Sequence, residues 1–155
     1  SLVAAGQVRD PIYAQHLRAL AGGKRVTFLE DVSDEVVASI HRSIKFLLVP
    51  SVEAYGERQF ARPELLGLVA LEALAAGTPV IGSNVGGLGE LLEEAGLPTA
   101  APGDVEEWQR VLERALYDGS RNVRQTQFTW GRVAAKCEAL YAKILNSTPP
   151  QKGQA

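Results

Sequence analysis

The chain has a single cysteine, Cys137, so no internal disulfide can brace it. Cys137 falls in an alanine-rich helical stretch and reads as a packing residue rather than a nucleophile. There are two histidines, His16 and His41, and neither has partners at metal-ligand spacing. Both read as surface or boundary residues of helices, and no metal site is expected. No apolar run is long enough to span a bilayer, and none has the layout of a signal peptide. Sixteen basic residues against eighteen acidic ones give a formal charge of −2, which offers no general attraction to nucleic acid or anionic membrane. These absences suit a cytoplasmic protein, with any peripheral membrane attachment left to residues outside the chain. Methionine is also absent, so the 155 residues read as a segment of a longer protein. No internal repeat is present.

What is there is a regular alternation of strands and helices, with enough residues for one buried core. Leu2–Ala5 reads as a strand, followed by a helix over Pro11–Ala21 that ends at Gly22-Gly23. Val26–Leu29 is a strand, and Ser33 can cap a helix that carries Asp34 and Glu35 in its first turn. Phe46–Val49, stopped by Pro50, has the pattern of a buried parallel strand. A leucine- and alanine-rich helix over Leu66–Ala76 comes next, ended by Gly77 and Pro79. Val80–Gly82 and Pro98–Ala101 are further strands, with a helix over Leu88–Ala95 between them. Asp104 caps a helix over Val105–Tyr117, and a last helix covers Gly131–Leu145. Trp108 and Trp130 fit helix packing. Residues 146–155 are polar and rich in proline and glycine, which predicts a disordered tail. The alternation predicts an α/β fold, a parallel sheet with helices on both faces.

The richest stretch runs from Pro63 to Glu90. Two carboxylates, Glu64 and Glu72, bracket the start of the leucine-rich helix. In an open α/β sheet, ligands bind at the carboxyl ends of the strands. A helix N-terminus there offers unpaired amides and positive dipole to an anion. Gly67 leaves no side chain over those amides, so a ligand can approach the N–H groups of Gly67, Leu68 and Val69 closely. A diphosphate on these amides would put a sugar near Glu64 and a ribose near Glu72. Ionised carboxylates only accept hydrogen bonds, which suits sugar hydroxyls and not phosphate. Gly86 and Gly87, with Ser83 and Asn84 beside them, form either a second phosphate-side turn or simply a tight strand-to-helix connection.

Taken together, these residues resemble the signature of retaining nucleotide-sugar glycosyltransferases of the GT-B fold, in the large group called family 4 or glycosyl transferases group 1. The resemblance is carried by Pro50-Ser51, Glu64, Gly67-Leu68-Val69, the run from Glu72 to Ile81, and Gly86-Gly87-Leu88-Gly89-Glu90. It extends to Arg25–Leu29, to Phe128-Thr129-Trp130 and to Tyr141, and so covers the chain to about Leu145. It implies a Rossmann-like C-terminal, donor-binding domain over 1–145 that lacks its first strand.

The same resemblance implies roles. Glu64 would contact the donor sugar at the catalytic centre, Glu72 the nucleotide ribose, and Gly67, Leu68 and Val69 the diphosphate, with Gly86 and Gly87 beside it. The ligand would be a nucleoside diphosphate sugar, with no cofactor. A basic pair that neutralises the leaving diphosphate, and an N-terminal acceptor domain, would lie outside this chain. The chain alone is therefore expected to transfer little or no sugar. The pattern departs from the family in a long link, residues 52–63, before Glu64, and in Glu30, where glycine is common. Glu53 follows Pro50-Ser51 more closely than Glu64 does, but it lies farther from Gly67. A sheet without its first strand exposes an apolar edge, which invites a homo-oligomer. Two other classes fit less of the sequence. One is a non-catalytic or engineered α/β scaffold or oligomerisation module. The other is an epimerase or phosphorylase of the same fold, whose lysine or acid–base set is not visible.

Overall fold

The computed structural model describes residues 1–55, 58–59, 65–119 and 129–147. Strands β1 (Leu2–Gly6) and β2 (Val26–Glu30) pair in parallel, with Leu2 opposite Val26 and Gly6 opposite Glu30. A second parallel sheet has the order β3-β6-β7, from Leu47–Val49, Val80–Ser83 and Thr99–Ala100. Leu47 sits opposite Val80, and Gly82 opposite Thr99. The parallel α/β architecture expected from the sequence is therefore present, divided among the described residues into these two pieces.

Helix α1 (Pro11–Ala21) begins where the sequence predicts it. The Asp10 carboxylate accepts from the amides of Ile12 and Tyr13, each at 3.0 Å, and Pro11 occupies a first-turn position whose N–H would be unpaired anyway. Arg18 of α1 pairs with Glu30 at the end of β2, and its guanidinium lies 5.8 Å from the centre of the Phe28 ring. Glu30, the residue that departs from the family pattern, is thus engaged with α1.

The core lies around β6. Val80, Ala70, Ala73, Leu74, Leu88, Leu91 and Leu92 are buried together, with Val49 of β3. Side chains alternate along a strand, so Val80 and Gly82 share one face. A β-carbon on Gly82 would come within 2.6 Å of Leu92, so this face packs on α4 (Gly86–Glu94). Leu88 and Leu92 are fully enclosed there, and each such burial contributes roughly 1.5–3 kcal/mol.

Helix α3 (Leu68–Ala75) and helix α4 end in the same way. Gly77 takes a left-handed φ of 84°, the Gly77 amide donates to Leu74 O, and the Thr78 amide donates to Ala73 O. Gly96, at φ 65°, repeats this with Glu93 and Leu92 as acceptors. Both are Schellman closures, which turn the chain sharply off the helix end. The first leads directly into β6.

Helix α2 (Asp34–Ser43) packs against α3, and the Thr78 hydroxyl donates to the buried His41 carbonyl. Helix α5 (Val105–Asp118) is capped by Asp104, which accepts from the Glu107 amide at 2.9 Å. Glu107 in turn accepts from the Ala101 amide at 3.1 Å, tying α5 to the end of β7. In the long link, β4 (Ala54–Tyr55) pairs antiparallel with β5 (Arg58–Gln59), an element the sequence reading leaves out.

Helix α6 (Trp130–Asn146) is capped by Thr129, whose hydroxyl accepts from the Arg132 amide. Its side chains are exposed. Trp130 is 87% exposed and Cys137 is exposed, so neither is the packing residue that its helical setting suggests. The expected tail beyond Ser147 lies outside the described residues.

Candidate functional site

Two helix N-termini meet at the carboxyl end of β6. Gly67 caps α3 with φ 70° and ψ 62°, so the helix begins at Leu68 rather than Leu66. This left-handed backbone is open to glycine at little cost. The Gly67 carbonyl accepts from the amides of Ala70 and Leu71, at 2.8 and 3.2 Å. The amides of Leu68 and Val69 precede any helical acceptor, as in every helix first turn. Their side chains are exposed, which leaves this end of α3 open to solvent.

Helix α4 starts at Gly86, with Val85 as its cap. Gly86 and Gly87 therefore lie inside the first turn of α4, which starts two residues earlier than the expected Leu88. A β-carbon on Gly87 would lie 1.9 Å from Leu65 O, and one on Gly67 would lie 2.8 Å from a Leu88 methyl. The start of α4 is thus pressed against the approach to α3. Two sets of first-turn amides, with their dipoles, converge on one place. The glycines allow this contact.

Glu72 lies in the second turn of α3, with its side chain directed to α2. It lines a cleft of about 310 Å³ together with Asp34, Val37, Ala38, His41 and Ala76. Asp34, Val37, Ala38 and His41 form one face of α2 at helical spacing. Small side chains at Ala38 and Ala76 leave the space between the helices. Glu72 itself is exposed. A larger concavity, about 400 Å³, lies among Phe46, Pro79, Leu97, Pro98 and Val111 at the amino ends of β6 and β7. Ligands of open parallel sheets bind at the other end, where α3 and α4 begin.

The structure brings Gly67, Leu68, Val69 and Glu72 onto one helix, with Gly86 and Gly87 against its start. Glu64 lies outside the described residues. Glu53 is exposed ahead of β4. Glu90 lies in the second turn of α4 and is exposed. At the α2 N-terminus, Ser33 makes no capping bond to an amide. The Ser33 hydroxyl, with the Glu35 backbone amide, holds the Glu35 carboxyl below its ordinary value.

The sequence reading missed His41. It is 3% exposed rather than on the surface, whereas His16 is exposed as expected. The signal that was available is the spacing Asp34, Val37, Ala38, His41, which places a polar residue at each end of one helix face. Among the described residues, no group of three or more histidine, cysteine, aspartate or glutamate side chains is arranged to hold a metal. No described helix is long and apolar enough to cross a membrane.

The family model for glycosyl transferases group 1 matches residues 1–118. The chain belongs to that family. It is 30% identical over 129 residues to D-inositol 3-phosphate glycosyltransferase of Corynebacterium efficiens, covering 77% of this chain and 28% of that protein. It is 34% identical over 109 residues to the enzyme of the same name from Rhodococcus erythropolis, covering 70% and 22%. Among solved structures, sucrose-phosphate synthase from Thermosynechococcus elongatus superposes with a TM-score of 0.66 at 26% identity, over 94% of this chain and 39% of that one. A glycosyltransferase of avilamycin A biosynthesis superposes with a TM-score of 0.69 at 21% identity, over 94% and 44%, and supports the fold alone. These neighbours have the GT-B fold. The chain spans less than a third of the curated relatives it matches, 28% and 22% of the two named here.

Proposed function

We propose that the chain is the donor-binding part of a glycosyltransferase that uses a nucleoside diphosphate sugar and retains configuration at the transferred carbon. The observation that carries this reading is the meeting of the α3 and α4 N-termini, with Glu72 projecting from α3 into a cleft just beyond. The diphosphate lies over the amides of Gly67, Leu68 and Val69, with Gly86 and Gly87 completing the cradle. Amide dipoles at two helix starts suit that charge. Glu72 accepts from the ribose hydroxyls. Glu64 contacts the donor sugar. No cofactor is needed, and the acceptor is held by a domain outside this chain. The chain alone binds nucleotide and transfers no sugar, because charge on the departing diphosphate needs cations that this cradle does not supply.

Isothermal titration with UDP, GDP and ADP tests the reading. One nucleotide should bind, and Glu72→Ala should weaken it. A folded chain that binds none of them overturns it.

A second reading rests on α6. Trp130, Leu140, Tyr141, Ile144 and Leu145 are all more than half exposed on it. A non-catalytic module that associates through this helix, or through the β1–β2 edge, fits such a surface. It predicts a stable oligomer that ignores nucleotides.

A further inference from the structure

We propose that α6 is a dimerisation helix, which pairs in parallel with α6 of a second copy of this chain. Trp130, Val133, Cys137, Leu140 and Ile144 recur at alternating steps of three and four residues. That is the a and d pattern of a two-stranded coiled coil, with Trp130, Cys137 and Ile144 at a and Val133 and Leu140 at d. Tyr141 and Leu145 widen the same stripe. Every side chain of α6 is exposed, from Val133 at 49% to Trp130 at 87%. The helix is tied to the body through Lys136, whose ammonium lies 3.8 Å from Glu94 at the end of α4. Helices of this length owe most of their stability to packing of an amphipathic face. Among the described residues, nothing buries that face of α6.

Area and charge both point to a second copy as the occupant. The stripe offers roughly 800 Å² of accessible surface, about the share that each partner contributes to a stable interface. Residues at the flanking e and g positions set the direction of a helix pair. An antiparallel pair sets g against g, and here both are lysine, Lys136 and Lys143. A parallel pair sets each g against an e of the other copy. Lys136 then meets Tyr141 of the second copy, and its stem and ammonium lie against an aromatic ring instead of a like charge. Parallel pairing also sets a against a, so Cys137 faces Cys137 across the two-fold axis. Antiparallel pairing sets a against d, and Cys137 then faces Val133 or Leu140. Glu94, where α6 is tied, lies about 12 Å along α4 from Gly86. The dimer therefore leaves the α3 and α4 N-termini open. It uses the surface of the second reading above, but not that reading's indifference to nucleotides.

The test is sedimentation equilibrium of the whole chain, with Leu140→Glu as its variant. The wild type should be a dimer. Leu140→Glu buries a charge at the seam and should raise the dimer dissociation constant about a hundredfold. Leu140 is exposed within one copy, so the variant keeps the core around β6. Diamide then reads the alignment. It takes two hydrogens from two thiols as their sulfurs join. The wild type should yield a disulfide-linked dimer, and Cys137→Ser and Leu140→Glu should not. A wild-type chain that stays monomeric at high micromolar concentration overturns the proposal. A dimer that Leu140→Glu leaves intact overturns it too, and moves the interface to another surface such as the β1–β2 edge. A dimer that Leu140→Glu dissolves but diamide does not link overturns the parallel alignment. Titration with UDP, GDP and ADP keeps the readings apart. A dimer that binds none of them overturns the donor-binding reading and supports this one, whereas a nucleotide-binding monomer does the reverse.

Discussion

The α-carbon of Gly87 lies against the carbonyl oxygen of Leu65, so near that a β-carbon on it would sit 1.9 Å away. This contact seats the first turn of α4 on the approach to α3. The obstructing atom is backbone, which has little freedom to move. We therefore expect Gly87→Ala to cost about 1–3 kcal/mol as an overpacking change, and to weaken nucleotide binding by parting the two helix starts. Gly67→Ala differs in kind. Its nearest obstacle is a flexible Leu88 methyl, and its main cost is the left-handed backbone, roughly 1–2 kcal/mol. Urea midpoints for both variants check this, and a Gly87→Ala protein as stable as wild type contradicts it.

Ser83 ends β6 with a fully enclosed hydroxyl that has no hydrogen-bond partner among the described residues. An unsatisfied buried hydroxyl is destabilising. Ser83→Ala should leave stability unchanged or raise it by about 1 kcal/mol. A thermal melt that falls by that amount shows instead that the hydroxyl has a partner.

The Glu35 carboxyl is held low by the Ser33 hydroxyl. A carboxylate with a depressed folded pKa adds stability above the unfolded carboxyl's range, and that stability is lost as pH falls through the folded value. Ser33→Ala should raise the Glu35 pKa toward its ordinary value and make this acid-side loss shallower. NMR titration of the Glu35 carboxyl checks the direction. An unchanged value excludes the hydroxyl as its cause.

Sequence and structure agree best where local chemistry is decisive. Asp104 caps its helix as the sequence predicts, and α1 begins at Pro11 as expected, although Ser33 makes no capping bond. Gly77 before Pro79 marks a helix end, and the chain closes there. The start of α3 was less legible. Leucines at 65 and 66 favour helix, but the left-handed Gly67 delays it to Leu68. His41 was hidden for a different reason. Its burial depends on Thr78, far along the chain, pinning α3 onto α2, and no local pattern reports such a contact. The exposure of Cys137 and Trp130 is likewise a matter of what lies beside α6. The glycosyltransferase signature was legible because its glycines, carboxylates and helix breaks fall close together between residues 64 and 90.

The central claim is that a nucleoside diphosphate sits on the start of α3. The most direct measurement follows the backbone amides of the isotopically labelled chain as UDP, GDP and ADP are added. The account predicts that one nucleotide shifts the amides of Leu68 and Val69 first, with Gly86 and Gly87 beside them, and that Glu72→Ala weakens this response. Shifts confined to the opposite concavity around Phe46, Leu97 and Val111, or no shifts in a folded chain, would contradict it.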